Sequence, residues 1–235
     1  MNDLDERTET LARWILAANY LVIFSGAGIS TESKIPDFRG KDGIWTRQEK
    51  GLPPPPKVDW SRVQPNQAHH AITTLQNIGK LKFLITQNID NLHLKSGIKP
   101  ELLAEFHGNI TKLRCTTCEN QVDAFPDLID TDCPICQGGR LVSSIVNFGD
   151  SIPHKTYADS VRHSKKCDLF IVVGSSLVVY PAAEMPEIAL KAEAKLIIIN
   201  GEKTPFDNRC HLRFWNNTGT VLPLVVSKID KLIST

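Results

Sequence analysis

Two matched cysteine pairs bracket the stretch CTTCENQVDAFPDLIDTDCPIC. Cys115 and Cys118 have two residues between them, Cys133 and Cys136 repeat that spacing, and fourteen residues separate the pairs. A Cys-x-x-Cys turn lets two sulfurs converge on one ion, and two such turns complete a tetrahedron. Zinc is the natural occupant of four thiolates, and with no open position it would be structural. The gap is one residue shorter than the usual ribbon spacing. Two unrelated reduced pairs would read the same way. A redox Cys-x-x-Cys is a further alternative, although that chemistry needs only one pair. Cys167 and Cys210 lack such neighbours and read as small core residues.

A second set of residues points to a nucleotide. The run YLVIF, residues 20–24, stops at Ser25-Gly26-Ala27-Gly28. Glycines after a strand let backbone amides approach phosphate oxygens, although a ligand-free tight turn has the same signature. A dinucleotide fingerprint for hydride transfer would place a third glycine where Thr31 stands. The run LKFLIT, residues 81–86, ends in Gln87, Asn88, Ile89, Asp90 and His93. The run at 168–174 ends in Gly174-Ser175-Ser176, and that at 195–201 in Asn200-Gly201-Glu202. Ligands of open α/β sheets sit at the carboxyl ends of strands. Four polar or glycine-bearing strand ends therefore argue for one shared crevice. Phe106-His107-Gly108 precedes the cysteine stretch; His107 is a candidate base, and a structural histidine would look the same.

The elements that must position these residues alternate. Continuous apolar runs are the mark of strands covered on both faces. Helical periodicity lies between them at 67–79, 155–165 and 182–194, with an amphipathic helix at 4–18 and a last one at 221–233, where Pro223 falls in the first turn. This alternation predicts a doubly wound α/β domain. Two segments interrupt it. Residues 40–64, with GLPPPP, carry no strand or long-helix signal, and 115–136 is the cysteine stretch.

At 235 residues the chain suits one large domain with a small insert. A net charge of +1 argues against bulk electrostatic binding to nucleic acid or membrane. No apolar run reaches the ~20 residues of a bilayer span. The acidic head lacks the basic start of a signal peptide, so an intracellular, cytoplasmic protein is expected, with reduced cysteines.

Taken together, GAGIS, IPDFRG, PNQAHHAI, TQNIDNLH, FHG, the two cysteine pairs, NFGDSIP, GSSLVVYPA and IIING resemble the sirtuin family of NAD-dependent protein deacylases, in order and over nearly the whole chain. The resemblance implies an inverted Rossmann-type parallel sheet (residues 1–40, 65–109 and 148–235), an inserted zinc-ribbon module (110–147) and a short cofactor-covering segment (41–64). It implies that Gly26, Ala27, Gly28 and Ser30 line the phosphate and ribose site, and that Asp37, Phe38 and Arg39 belong to a loop covering NAD. Gln87, Asn88, Ile89 and Asp90 would border the ribose and nicotinamide pocket, with His107 as general base and Asn88 assisting catalysis. Gly174, Ser175, Ser176, Asn200, Gly201, Glu202 and Thr218 would hold the adenosine half. Val146, Phe148 and Gly149 would border the acyl-lysine of a protein substrate. GIWT followed by prolines is similar to a branch that includes a mammalian nuclear chromatin-acting member, in which Trp45 would help cover NAD. The Tyr-x-x-Arg of the acidic-acyl branch is absent, and NFGD replaces the more frequent FGE.

The chemistry so implied consumes NAD. The nicotinamide–ribose bond breaks, the acyl oxygen attacks the ribose carbon, and His107 deprotonates a ribose hydroxyl. Deacylated lysine and O-acyl-ADP-ribose leave. Mono-ADP-ribosyl transfer shares the first bond cleavage and is the alternative activity. A non-enzymatic zinc-ribbon binding module is a third reading, and it leaves TQNIDNLH unexplained.

Overall fold

The computed structural model describes residues 3–234. Among them six strands form one parallel sheet: β1 (Leu21–Ser25), β2 (Leu81–Thr86), β3 (Leu103–Glu105), then, after the insert, β7 (Leu169–Val173), β8 (Lys195–Ile199) and β9 (Leu212–Phe214). Their order is β3-β2-β1-β7-β8-β9. With the insert set aside, this is the 3-2-1-4-5-6 order of dinucleotide-binding folds, whose direction reverses between β1 and β7. The insert supplies β4 (Lys112–Cys115), β5 (Gln121–Asp123) and β6 (Leu141–Ser143), an antiparallel sheet in the order β5-β4-β6.

The alternation of side chains along β1 explains its unbroken apolar run. Leu21 and Ile23 face one core, with Ile171 and Ile197. Helices α1 (Asp3–Ala17), α3 (Gln67–Asn77) and α7 (Thr218–Ile233) cover that face through Leu11, Ile15, Ile72, Leu75, Val221 and Ile229. Val22 and Phe24 face the other core, with Phe170, Val172 and Ile198. It is closed by α5 (His154–Lys166) and α6 (Glu184–Lys191), which bring Tyr157, Val161, Met185 and Ala189. Both faces being buried, no polar residue interrupts the strand until Ser25.

Several boundaries differ from the sequence expectation. Helix α7 starts at Thr218, so Pro223 lies inside it, in the second turn. Proline there removes one helical hydrogen bond, and the buried Val221, Leu222 and Val225 hold the helix through that gap. The proline-bearing segment contains one short helix, α2 (Ile44–Glu49), and a four-residue turn of helix, α4 (Leu92–Lys95), follows β2. Strands β3 and β9 have three residues each, too few for a periodic signal.

Phe170 is fully buried between the sheet and the α5–α6 layer. Phe170→Ala is expected to cost about 3–5 kcal/mol of stability, read as a lowered urea midpoint; a loss under about 1 kcal/mol would contradict this packing.

Candidate functional site

The ends of β1 and β7 meet at the point where the strand order reverses. The Gly26 amide donates to the Val173 carbonyl at 3.0 Å and the Gly28 amide to the Gly174 carbonyl at 2.8 Å. A Cβ on Gly28 would lie 2.8 Å from the Gly174 Cα, and one on Gly174, whose φ is +61°, 2.3 Å from the Ile29 nitrogen. The sequence reading gave these glycines to phosphate approach. In the structure the amides of Gly26 and Gly28 are already bonded, and glycine is required because two backbones touch. The Ala27 amide has no partner among the described residues. It opens a seven-residue 3-10 helix, Ala27–Ser33, beside the crevice.

Side chains at the end of β2 tie this turn to the floor. Asn88 Nδ2 donates to the Gly26 carbonyl at 3.2 Å and to Ser30 Oγ at 3.1 Å. Ser30 Oγ donates to Asp90 Oδ2 at 2.6 Å, and the Leu92 amide donates to Asp90 Oδ1 at 2.9 Å. Burial pushes the Asp90 carboxyl above its ordinary pKa, and these donors act against that shift. Gln87 Nε2 reaches Ser175 Oγ at 2.8 Å, joining β2 to β7 across β1.

His107 follows β3. Its Nδ1 lies 3.0 Å from the Gln87 carbonyl, which can only accept. The contact therefore places the ring proton on Nδ1 and leaves the Nε2 lone pair free to take a proton. Burial lowers the His107 pKa, which favours this neutral form, and the Gln87 hydrogen bond opposes that shift. Just before it, burial raises the Glu105 carboxyl to about 7; Asn109 Nδ2 donates to it and, at 2.9 Å, to Asn91 Oδ1. The Ile110 amide donates to the Ile89 carbonyl at 2.8 Å, so the entry to the insert is fastened to the polar end of β2.

The covering segment is short and internally braced. The Gly40 amide donates to Asp37 Oδ1 at 3.0 Å, and the Ile44 and Trp45 amides donate to the carbonyls of Asp37 and Phe38. Trp45 lies 5.0 Å from Phe38 and 6.1 Å from Phe148, centroid to centroid, with the Arg39 guanidinium 4.0 Å above its ring. Phe148 belongs to the segment leaving the insert, so Trp45 touches both sides of the cleft.

These groups enclose a cavity of about 510 Å³. Gly26, Ala27, Gly28, Ser30, Asp37, Phe38, Arg39, Trp45, Gln87, Asn88, Ile89, Asp90, His107, Gly174, Ser175, Ser176, Asn200 and Glu202 line it, as do Val146, Phe148 and Gly149. Gly201 and Thr218 are not on its wall. Thr218 is buried at the start of α7, and Gly201 is exposed. The wall also includes Ile35, Val58, Trp60, Ile145, Val179 and Tyr180, which the sequence reading did not assign. Tyr180 lay within GSSLVVYPA, whose apolar half gave no chemical signal. Trp60 lay in the proline-bearing segment, whose path has no periodicity to read.

The four cysteines of the insert converge. All four sulfurs lie within 4.8 Å of one another, with Cys115 to Cys136 at 3.6 Å and Cys118 to Cys133 at 3.9 Å. Four ligands at a zinc–sulfur distance of ~2.3 Å stand ~3.8 Å apart, so the cluster fits a structural zinc. The amides of Cys118 and Thr117 point at the Cys115 sulfur and hold its thiol down at about 6, toward the thiolate that a metal needs.

A family description named "Sir2 family" matches residues 26–58 and 55–181. The chain belongs to the Sir2 family. Among curated sirtuins, "NAD-dependent protein deacylase 2" of Archaeoglobus fulgidus is 37% identical, covering 98% of this chain and 99% of its own length. "NAD-dependent protein deacetylase Sirt6" of Drosophila melanogaster is 33% identical over 97% of this chain and 75% of its own. Among solved structures, a Sir2 enzyme with a p53 peptide and NAD+ superposes with a TM-score of 0.73 at 31% identity, covering 96% of this chain and 98% of that one. Another Sir2 structure, from work on the mechanism and regulation of these enzymes, gives 0.76 at 35%, covering 97% and 99%. The parallel sheet and a four-cysteine ribbon consistent with zinc are both present. Among the described residues no helix is long and apolar enough to cross a membrane.

Metal analysis of the purified protein is expected to give one zinc per chain. Cys133→Ser should remove it and abolish amide-exchange protection in β4–β6; a zinc-free native protein with an ordered ribbon would overturn the site.

Proposed function

We propose that this chain is an NAD-dependent protein lysine deacylase that turns NAD, an acyl-lysine and water into nicotinamide, lysine and O-acyl-ADP-ribose. The observation that carries this reading is His107. Its tautomer is set by the Gln87 carbonyl, and it stands in one cavity with the β1 turn, with Asn88 and Asp90, and with Val146, Phe148 and Gly149. A proton acceptor, a dinucleotide-sized crevice and a substrate-bordering segment then occupy one space.

In this reading NAD supplies the ADP-ribosyl group that receives the acyl chain. The Ala27 amide and Ser30 would meet the phosphates and ribose, and Gln87, Ser175, Ser176, Asn200 and Glu202 the adenosine half. Asp90 and Asn88 would hold the nicotinamide carboxamide. Their hydrogen bonds to Ser30 and Gly26 fix both side chains before a ligand arrives, which is the preorganisation a charged transition state needs. Phe38, Arg39 and Trp45 would exclude water from above. His107 Nε2 would accept the proton of a ribose hydroxyl. Residues 1–40, 65–109 and 148–235 would bind the dinucleotide, 110–147 the metal, and 41–64 would act as cover. The names of the relatives and the p53 peptide in a related structure support proteins as the acyl donors.

Mass spectrometry of an acetylated peptide incubated with NAD tests the reaction. Nicotinamide, free lysine and O-acetyl-ADP-ribose are expected in equal amounts. A peptide gaining ADP-ribose while keeping its acetyl group would favour mono-ADP-ribosyl transfer instead. His107→Ala is expected to keep NAD binding and lose about 100-fold in turnover, the scale of a removed general base. The sign of the pH dependence follows from the lowered pKa. The neutral ring is the base and persists below the ordinary value of 6.5, so the acid limb of the rate profile should fall below that pH. An acid limb above 6.5 would contradict it.

A further inference from the structure

Strand β9 carries an arginine that no part of the reaction uses. Arg213 is only 8% exposed, in an edge strand whose neighbours Leu212 and Phe214 are apolar. Its Nη1 donates to the Asn200 carbonyl at 2.6 Å and also to the Phe214 carbonyl, and its Nη2 donates to the Glu202 carbonyl at 2.7 Å. Its Nε donates to Asp207 Oδ1 at 2.9 Å, and Trp215 covers the guanidinium 3.7 Å from the ring centroid. One planar cation therefore gathers three backbone carbonyls and a carboxylate.

These partners are not scattered. Asn200 and Glu202 form the turn after β8, and both line the cavity. Asn200 Nδ2 donates to the same Glu202 carbonyl at 2.9 Å, and the Asn200 amide donates to the Phe214 carbonyl at 3.0 Å. Asp207 is itself held by Thr204, whose amide and hydroxyl donate to it at 3.0 and 2.7 Å. Burial acts to raise the Asp207 carboxyl; the Thr204 bonds and the Arg213 charge outweigh it and keep it below the ordinary range. The turn has no helix or strand of its own, and its shape is set by this buried guanidinium. Lysine cannot replace it, because an ammonium is a compact donor without the planar fork that reaches carbonyls and carboxylate together.

We propose that Arg213 is a positioning residue for the adenosine half of NAD: it fixes the turn from Asn200 to Glu202 so that both present themselves to the dinucleotide before it binds. Nothing in its contacts reaches the His107 end of the cavity. Its loss should therefore weaken one substrate and spare the other. The inference rests on the NAD-dependent reading above.

The test is a steady-state comparison of Arg213→Lys with the native protein, using NAD and an acetylated peptide, alongside calorimetric binding of ADP-ribose. The KM for NAD and the Kd for ADP-ribose are expected to rise about tenfold, with the peptide KM and kcat within about twofold, a uniform loss of ground-state binding. An unchanged NAD KM in the folded variant would overturn the proposal. So would parallel losses in both substrates and kcat, which mark a merely structural role. If Arg213→Lys does not fold, Asp207→Asn, which leaves the carbonyl bonds in place, is read by the same criteria with a rise of about threefold. Absence of deacylation by the native protein would instead count against the proposed activity, and ADP-ribose binding would still report on Arg213.

Discussion

The rest of the molecule depends on one close approach. Where β1 and β7 end, Gly28 and Gly174 lie so near that neither tolerates a Cβ. The contact brings the Ala27–Ser33 turn down onto the β7 end and leaves the crevice open on the other side, toward Asn88 and His107. A methyl group at either position would force the two strand ends apart. The Asn88–Ser30–Asp90 chain, with hydrogen bonds of 3.1 and 2.6 Å, would then be stretched. The geometry of the cavity floor here follows from backbone packing at the strand ends.

Polar groups then complete what packing begins. Three side chains of the cavity wall reach across to another strand end: Asn88 to the turn after β1, Gln87 to Ser175, His107 to the Gln87 carbonyl. Such cross-strand bonds in a low-dielectric crevice are strong and leave little reorganisation for the ligand to drive. The segment from Asp37 to Trp45 combines both kinds of contact: backbone hydrogen bonds brace it internally, and rings and a cation stack over Trp45.

Much of this was legible in the sequence, for identifiable reasons. Strands buried on both faces read as near-continuous apolar runs, so β1, β2, β7 and β8 announce themselves, and the polar residues that end them mark the crevice. The spacing of the cysteine pairs suggests a four-thiolate site, and the structure brings the four sulfurs together. What escaped detection lacks a local signal. The short edge strands β3 and β9 exist because longer neighbours offer them a ladder, and Arg213 in HLRFW reads as an exposed cation until the turn it gathers is seen. The glycines also have a role that the sequence did not show. Their freedom serves contact between two chain segments distant in sequence, which no local motif encodes. Thr218, placed near adenine by resemblance, lies at a helix start away from the cavity wall.

The topology imposes an order on synthesis. Leu21 pairs with Leu169, and the whole ribbon lies between them in the chain. When β1 leaves the ribosome its partner on one side does not yet exist, and all four cysteines are made before β7 is. The antiparallel ribbon, with its short-range pairings, can close around its metal while the parallel sheet still waits for its central neighbour. The crevice between β1 and β7 can therefore form only after the whole ribbon sequence has been made.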